Sequence, residues 1–236
     1  MGLQGVLRMI YPPRCISCDA AVTSDFGLCG PCWRDTPFIT GAVCDRCGTP
    51  VPGEDDGGIC DDCLTLLPPW SRGRAAMMYD GNGRRLVLAL KHGDRLDLAI
   101  PAGKWLHRAA APILQPGMIV APVPLHWTRL IKRKYNQSAL LGRALAKVAG
   151  LEHLPDLLHR TRNTRSQEGR GREGRFDNMA GALAVRRPAR VKGRPVLLID
   201  DVMTSGATLG AAAEACFGVG AADVAVLVLA RVAKNA

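Results

Sequence analysis

The sequence predicts an α/β protein: a parallel sheet with helices on both faces, preceded by a small cysteine-built module. Two observations carry this. Eight of the nine cysteines fall within the first 63 residues as four Cys-x-x-Cys pairs. Beyond them, short continuous apolar runs alternate with stretches of helical pattern, as expected of strands covered on both sides. A chain of 236 residues holds one such domain plus a small module. Its 47 % hydrophobic and 22 % charged content excludes a disordered chain and calls for a packed core.

The cysteine pairs come first. They are Cys15/Cys18, Cys29/Cys32, Cys44/Cys47 and Cys60/Cys63. Two thiolates at this spacing sit on one tight turn and reach one metal ion, and two such turns complete a tetrahedral sulfur shell. Four pairs therefore make two shells, read as structural Zn2+ sites. Sequential pairing groups Cys15, Cys18, Cys29 and Cys32 against Cys44, Cys47, Cys60 and Cys63; an interleaved cross-brace is the alternative. The intervening chain, such as "GTPVPGEDDGGI", is too polar to form a core, so the metal supplies the folding energy. Disulfides are the competing explanation, disfavoured by the spacing and by a signal-less, cytoplasmic reading of the chain. Neither shell keeps an open position, which excludes a catalytic role for the zinc.

The run "LLPPWSRGRAAMMYD" has the prolines and turn residues of a junction. It divides the chain into a module over residues 1–68 and a domain over 69–236. In the domain "AAMMY" reads as a strand, "RRLVLALKH" as a short helix, and "DLAIPAGKWLHRAAAPIL" as a helix limited by Pro101 and Pro112. "MIVAPVPL" is the second strand. Leu141, Leu145 and Val148 then share a helix face at i, i+4 and i+7. "PVLLID", a helix from about Ser205 and the strand "VAVLVLA" complete the series, and Cys216 reads as a small core residue on the helix between them.

Ligands of parallel sheets bind at the carboxyl ends of strands, which places Asp200 and Asp201 at the binding edge. Behind them "MTSGATL" offers the hydroxyls of Thr204, Ser205 and Thr208, a flexible Gly206, and backbone N–H groups converging at a helix start. No Walker loop occurs, and "GVGAAD" is too weak for a dinucleotide fingerprint. Two carboxylates repel a bare phosphate, so the ligand presents hydroxyls to them and a phosphate to the loop. A ribose 5-phosphate meets both demands. The bland alternatives are a strand end with Thr204 or Ser205 as an N-cap, and an acidic magnesium pocket.

"VLLIDDVMTSGATL" closely resembles the phosphoribosyl pyrophosphate (PRPP) signature of type I phosphoribosyltransferases. Together with the cysteine pairs, "APVPLHWTRLIKRKYNQSALL" and "RTRNTRSQEGRGREGRFDNMAGAL", it resembles the ComF family over nearly the whole chain. That family joins a zinc ribbon to a phosphoribosyltransferase domain and is associated with DNA uptake in bacterial competence. The resemblance implies that Asp200 and Asp201 hold the ribose 2- and 3-hydroxyls. It implies that Thr204, Ser205, Gly206, Ala207 and Thr208 wrap the 5-phosphate, and that Mg2+ accompanies PRPP. A pyrophosphate loop would lie around Leu125 and His126, with no proton-transfer role for His126. Lys91, Arg129, Lys132, Arg133, Lys134 and Arg165 are candidate contacts to pyrophosphate or DNA, with Asn136 and Gln137 in the family-like "YNQ". The segment 160–180, carrying Arg160, Arg162, Arg165, Arg170, Arg172 and Arg175, is expected to act as a mobile lid, with a plain solvated loop as the alternative.

The formal net charge of +10 favours an anionic partner. No secretory signal, myristoylation pattern or membrane-length apolar run is present, so membrane insertion is excluded. Two functions remain. One is phosphoribose transfer to an unnamed acceptor, with no base-stacking hood visible at 5 % aromatic content. The other is a non-catalytic PRPP sensor or a module binding single-stranded DNA, with docking to other competence proteins as a further role.

Overall fold

The most apolar runs of the chain, Val196–Ile199 and Val224–Ala230, are fully buried and lie side by side in the sheet. The computed structural model describes residues 11–53, 58–92, 95–125, 130–131, 134–162 and 178–232. In chain order its elements are α1 (Gly30–Asp35), α2 (Asp61–Thr65), β1 (Arg72–Met78), α3 (Gly81–His92), α4 (Ala99–Ala110), β2 (Ile119–Pro122) and α5 (Gln137–Ala149). There follow β3 (Glu152–His153), β4 (Leu158–Arg160), β5 (Leu183–Val185), α6 (Pro188–Val191), β6 (Pro195–Met203), α7 (Ala207–Gly218) and β7 (Asp223–Arg231). The sheet is parallel in the order β1-β7-β6-β2-β3, with a separate antiparallel pair β4-β5.

Both faces are covered, as the continuous apolar strands require. On one face Leu86, Val87 and Leu90 of α3, Leu106 of α4 and Leu141 and Leu145 of α5 pack on Leu197, Ile199 and Leu227. On the other, Leu209, Ala212, Ala213 and Cys216 of α7 pack with Leu158, Leu183 and Val191 on Val196, Leu198 and Val226. Burial of each Leu, Ile or Val among them contributes roughly 1.5–3 kcal/mol. Cys216 is a core residue, as its sequence context predicts. Val148 departs from the expectation: it is 44 % exposed although it follows Leu141 at i+7. The buried face of α5 runs through Ser138, Leu141, Gly142, Leu145 and Ala146, and Val148 lies at its margin in the last turn.

Strand β1 starts three residues before the expected "AAMMY". Arg74 is buried inside it because its guanidinium reaches the Asp45 carboxylate at 2.7 Å, with Arg72 at 3.3 Å on the same oxygen. Asp45 lies within the Cys44–Cys47 turn, so the cysteine module supplies the counter-charge for the first strand. The module also protects the sheet's edge. Residues 36–43 run beside β1, with Ile39 N–H donating to Ala76 O and Met78 N–H to Pro37 O, which removes an open edge strand. The two halves of the module sit on opposite faces: Ile16 and Leu28 join the α3–α5 layer, while Cys44, Cys47 and Cys63 join the α7 layer with Trp70. No helix among the described residues is long and apolar enough to cross a membrane.

Candidate functional site

Asp200 and Asp201 stand near the carboxyl end of β6, at the edge the sheet topology selects. Each is held by a helix of the α3–α5 layer. Ser138 Oγ, in the first turn of α5, donates to Asp200 Oδ1 at 2.8 Å, and the Asp201 N–H donates to the same oxygen at 2.9 Å. Lys91 Nζ, near the end of α3, lies 3.2 Å from Asp201 Oδ1, with both side chains largely buried. Burial, reinforced by the neighbouring Asp201 charge, pushes the Asp200 carboxyl up to about 7, against the opposing pull of Ser138, the Asp201 N–H and Lys91. Asp200 thus holds its proton more tightly than an ordinary carboxyl does.

The segment "YNQS" explains how two helices and a strand meet here. Tyr135 OH donates to Leu90 O at 2.8 Å, and Asn136 Nδ2 to Val123 O at 3.0 Å, while Asn136 Oδ1 caps α5 by accepting from Ser138 N–H at 3.0 Å. Gln137 Nε2 reaches toward Lys91 O at 3.5 Å. Ser138 then bonds the acid itself. Four successive side chains thus tie the ends of α3, β2 and β6 together.

After the acids the chain turns through Thr204 and Ser205 into Gly206, which has φ 81° and caps α7 without a side-chain hydrogen bond. Helix α7 begins at Ala207, two residues later than the sequence predicts, and neither Thr204 nor Ser205 serves as its N-cap. Arg231, 7 % exposed at the end of β7, donates from Nη1 to Met203 O at 3.1 Å and to Thr204 O at 2.7 Å. In a trans peptide the C=O and N–H point oppositely. Drawing those carbonyls toward Arg231 turns the N–H groups of Thr204 and Ser205 the other way, and the amino end of α7 adds its own partial positive charge. Such an arrangement of N–H groups at a helix start can accept an anion.

The cysteines assemble in the sequential arrangement. Cys15, Cys18, Cys29 and Cys32 form one group and Cys44, Cys47, Cys60 and Cys63 the other, each with sulfurs within 4.8 Å of one another. Cys18 to Cys29 and Cys47 to Cys60 are each 3.6 Å apart, close to the edge of about 3.8 Å that four Zn–S bonds of ~2.3 Å generate in a tetrahedron. The Cys29 N–H points at Cys15 Sγ (3.3 Å) and the Cys60 N–H at Cys44 Sγ (3.4 Å), bonds that favour thiolate. Although burial opposes it, the N–H groups of Cys29, Ser17 and Cys18 pull Cys15 down to about 6. In the second group hydrogen bonds from Cys44 and Cys63 hold Cys47 low, while those Cys63 makes with Cys44 and Cys47 drive it up. Four soft donors in this geometry fit Zn2+, and the two groups support two structural zinc sites.

Of the predicted site residues, the structure brings together Lys91, Asp200, Asp201 and the loop Thr204–Thr208. Lys134 is exposed just ahead of α5, at φ 65°. His126, Arg129, Lys132, Arg133, Arg165, Arg170, Arg172 and Arg175 lie outside the described residues. The chain flanking the 160–180 segment forms the β4-β5 pair, with Arg160 Nε on Pro124 O at 2.9 Å and Arg162 Nη2 on the carbonyls of Asn178 and Ala180. Sequence reasoning missed Ser138 and Arg231. Ser138 had a detectable signal, since it directly follows the quoted "YNQ"; Arg231 had none, because a charge ending an apolar strand reads as surface.

The chain matches the double zinc ribbon domain over residues 6–64 and the phosphoribosyl transferase domain over residues 136–236. It is 30 % identical over 211 residues to the DNA utilization protein YhgH of Escherichia coli, covering 87 % of this chain and 91 % of that protein. It is 27 % identical over 231 residues to competence protein F of Haemophilus influenzae, covering 92 % and 96 %. Among solved structures it is similar to the glutamine PRPP amidotransferase of B. subtilis at 16 % identity and a TM-score of 0.41, over 60 % of this chain and 30 % of the other. A double zinc ribbon, a phosphoribosyltransferase domain and nearly full-length similarity to YhgH place this chain in the ComF family.

Proposed function

We propose that the carboxyl end of β6 binds PRPP and that the protein transfers phosphoribose to an acceptor with release of pyrophosphate. One observation carries this reading: two adjacent carboxylates, held by Ser138 and Lys91, stand directly ahead of a loop whose carbonyls are drawn back by Arg231. The ribose 2- and 3-hydroxyls donate to Asp200 and Asp201. The 5-phosphate accepts from the amides and hydroxyls of Thr204–Thr208 at the start of α7. As the bond from the anomeric carbon to pyrophosphate breaks, its electron pair leaves with the pyrophosphate. The acceptor's lone pair forms the new bond, and the acceptor loses a proton. Positive charge building on the sugar is stabilised by the two carboxylates. Mg2+, bound together with PRPP, would neutralise the departing pyrophosphate. The zinc sites, with all positions filled by sulfur, take no part in this chemistry.

Calorimetric titration with PRPP and Mg2+ tests the binding. Saturable heat that disappears in Asp200→Asn/Asp201→Asn supports the reading, and absence of heat with wild-type protein sinks it. A screen of nucleobases and amines with labelled PRPP separates transferase from sensor: pyrophosphate released only with an acceptor marks the enzyme, and binding without turnover marks the sensor.

A second reading, contact with single-stranded DNA in uptake or utilization, is favoured by a separate feature. Trp33, Phe38 and Trp105 gather with centroid separations of 4.7 and 5.2 Å. They line a cleft of about 890 Å³ with Arg34 and Arg108 and, among the described residues, no acidic side chain. Aromatic faces beside arginines suit stacked bases. Salt-dependent oligonucleotide binding that Trp33→Ala and Arg108→Ala both weaken supports this role, and unchanged binding removes the cleft from it.

A further inference from the structure

Resting on the PRPP reading of the loop, we infer that Trp70 is a positioning residue that makes the phosphate loop depend on metal occupancy of the second four-cysteine site. Trp70 is 2 % exposed and bound reciprocally to the Cys44–Cys47 turn. Its indole Nε1 donates to Arg46 O at 2.6 Å, and Arg46 Nη1 donates back to the carbonyls of Trp70 and Ser71, each at 2.8 Å. Arg46 lies between two of the sulfur donors, so its carbonyl stands where the metal-bound turn puts it. The same turn is seated on β1 through the Gly73 N–H to Asp45 O bond at 2.7 Å.

At its other end the Trp70 ring meets the loop. A Cβ placed on Gly206 would stand 2.8 Å from Trp70 Cη2 and 3.6 Å from Met203 Sδ. The ring therefore forms the floor under the one left-handed residue that turns the chain from the acids into α7. A cavity of about 200 Å³ adjoins this contact, lined by Cys47, Cys63, Trp70, Met203, Ser205 and Arg231 among others. When the second site loses its metal, the turn loses its main folding constraint, the indole loses its fixed acceptor, and the ring has space to move. Gly206 and the N–H groups beside it then lose their floor. The first four-cysteine site has a different attachment: Asn82 Nδ2 donates to Cys32 O at 3.2 Å, at the far end of α3 from Lys91 and on the opposite face of the sheet from α7.

The test uses the full chain and three variants: Cys60→Ser at the second site, Cys18→Ser at the first, and Trp70→Phe. Zinc content, amide hydrogen exchange over residues 203–208 without ligand, and calorimetry with PRPP and Mg2+ are the readouts. Trp70→Phe is expected to keep both zincs, yet to raise exchange in the loop and weaken PRPP binding by about fivefold to tenfold, the worth of one net hydrogen bond and its packing. Cys60→Ser is expected to lose one zinc and show the same loop effect or a larger one, whereas Cys18→Ser leaves the loop as in wild type. Should Cys60→Ser fail to fold, the Trp70→Phe comparison still decides. Wild-type exchange in a doubly zinc-loaded Trp70→Phe overturns the positioning role, and equal loosening by Cys18→Ser overturns the link to the second site. If wild-type protein gives no PRPP heat, the ligand reading fails by itself, while the exchange data still judge the coupling.

Discussion

Gly206→Ala tests the loop between the acid pair and α7 most directly, because two independent costs can be worked from its surroundings. At φ 81° and ψ 0° the backbone is left-handed, which costs a residue with a Cβ about 1–2 kcal/mol. The added methyl also falls 2.8 Å from Trp70 Cη2. That ring is buried and tethered through Nε1, so it cannot swing aside cheaply, and overpacking of this kind costs roughly 1–3 kcal/mol. The sum is about 2–5 kcal/mol. Gly193 isolates the first cost, since its φ is 71° but an added methyl there meets nothing within 4 Å; Gly193→Ala is expected to lose only about 1–2 kcal/mol. Urea denaturation of the zinc-loaded protein measures both through the shift in midpoint at constant slope. In Gly206→Ala/Trp70→Phe the shorter ring removes the clash, and about 1–2 kcal/mol should return as a coupling energy. Equal losses in Gly206→Ala and Gly193→Ala, or no coupling with Trp70→Phe, would refute the proposed contact between loop and indole.

Three further outcomes are expected. The Asp200 carboxyl is raised to about 7, so its contribution to stability is complete below its unfolded value near 4 and is lost progressively as pH rises to the folded value; the stability of Asp200→Asn relative to wild type should therefore grow from about pH 4 to 7 and level off above, and a flat difference in denaturation midpoints would contradict the burial assigned to this acid. Lys91→Met removes the cation 3.2 Å from Asp201 and should cost about 1–3 kcal/mol, while raising the Asp200 pKa further, as read by carboxyl NMR titration; an unchanged or lower pKa would argue against the pair. Zinc release to a chelator should occur in two phases, the first from the site containing exposed Cys18, and the second from the site where Cys44, Cys47 and Cys63 are buried; a single phase would show that burial does not set the order.

Much of the site was legible without coordinates. Asp200, Asp201 and the Thr-Ser-Gly turn fall within seven residues, and the strand-end rule for parallel sheets locates them before any side chain is seen. Spacing alone names the eight cysteine ligands but allows sequential or interleaved pairing, and the positions of the sulfurs select the sequential one. Contacts between distant segments were not legible. Arg74 looked like part of a polar junction because its counter-charge, Asp45, is 29 residues away, and Val148 fits the helical period yet lies at the margin of the buried face of α5.

By itself, then, the order of residues determined the zinc ligands, the α/β alternation, the acid pair and the loop behind it, since each depends on near neighbours or on local period. Tertiary structure alone decided that the two cysteine groups take opposite faces of one sheet, that Ser138 and Lys91 hold the two acids, and that Trp70 and Arg231 support the loop from beneath. Those relations arise from packing and charge pairing between segments far apart in the chain, and such partners are chosen by the folded geometry, which no local pattern encodes.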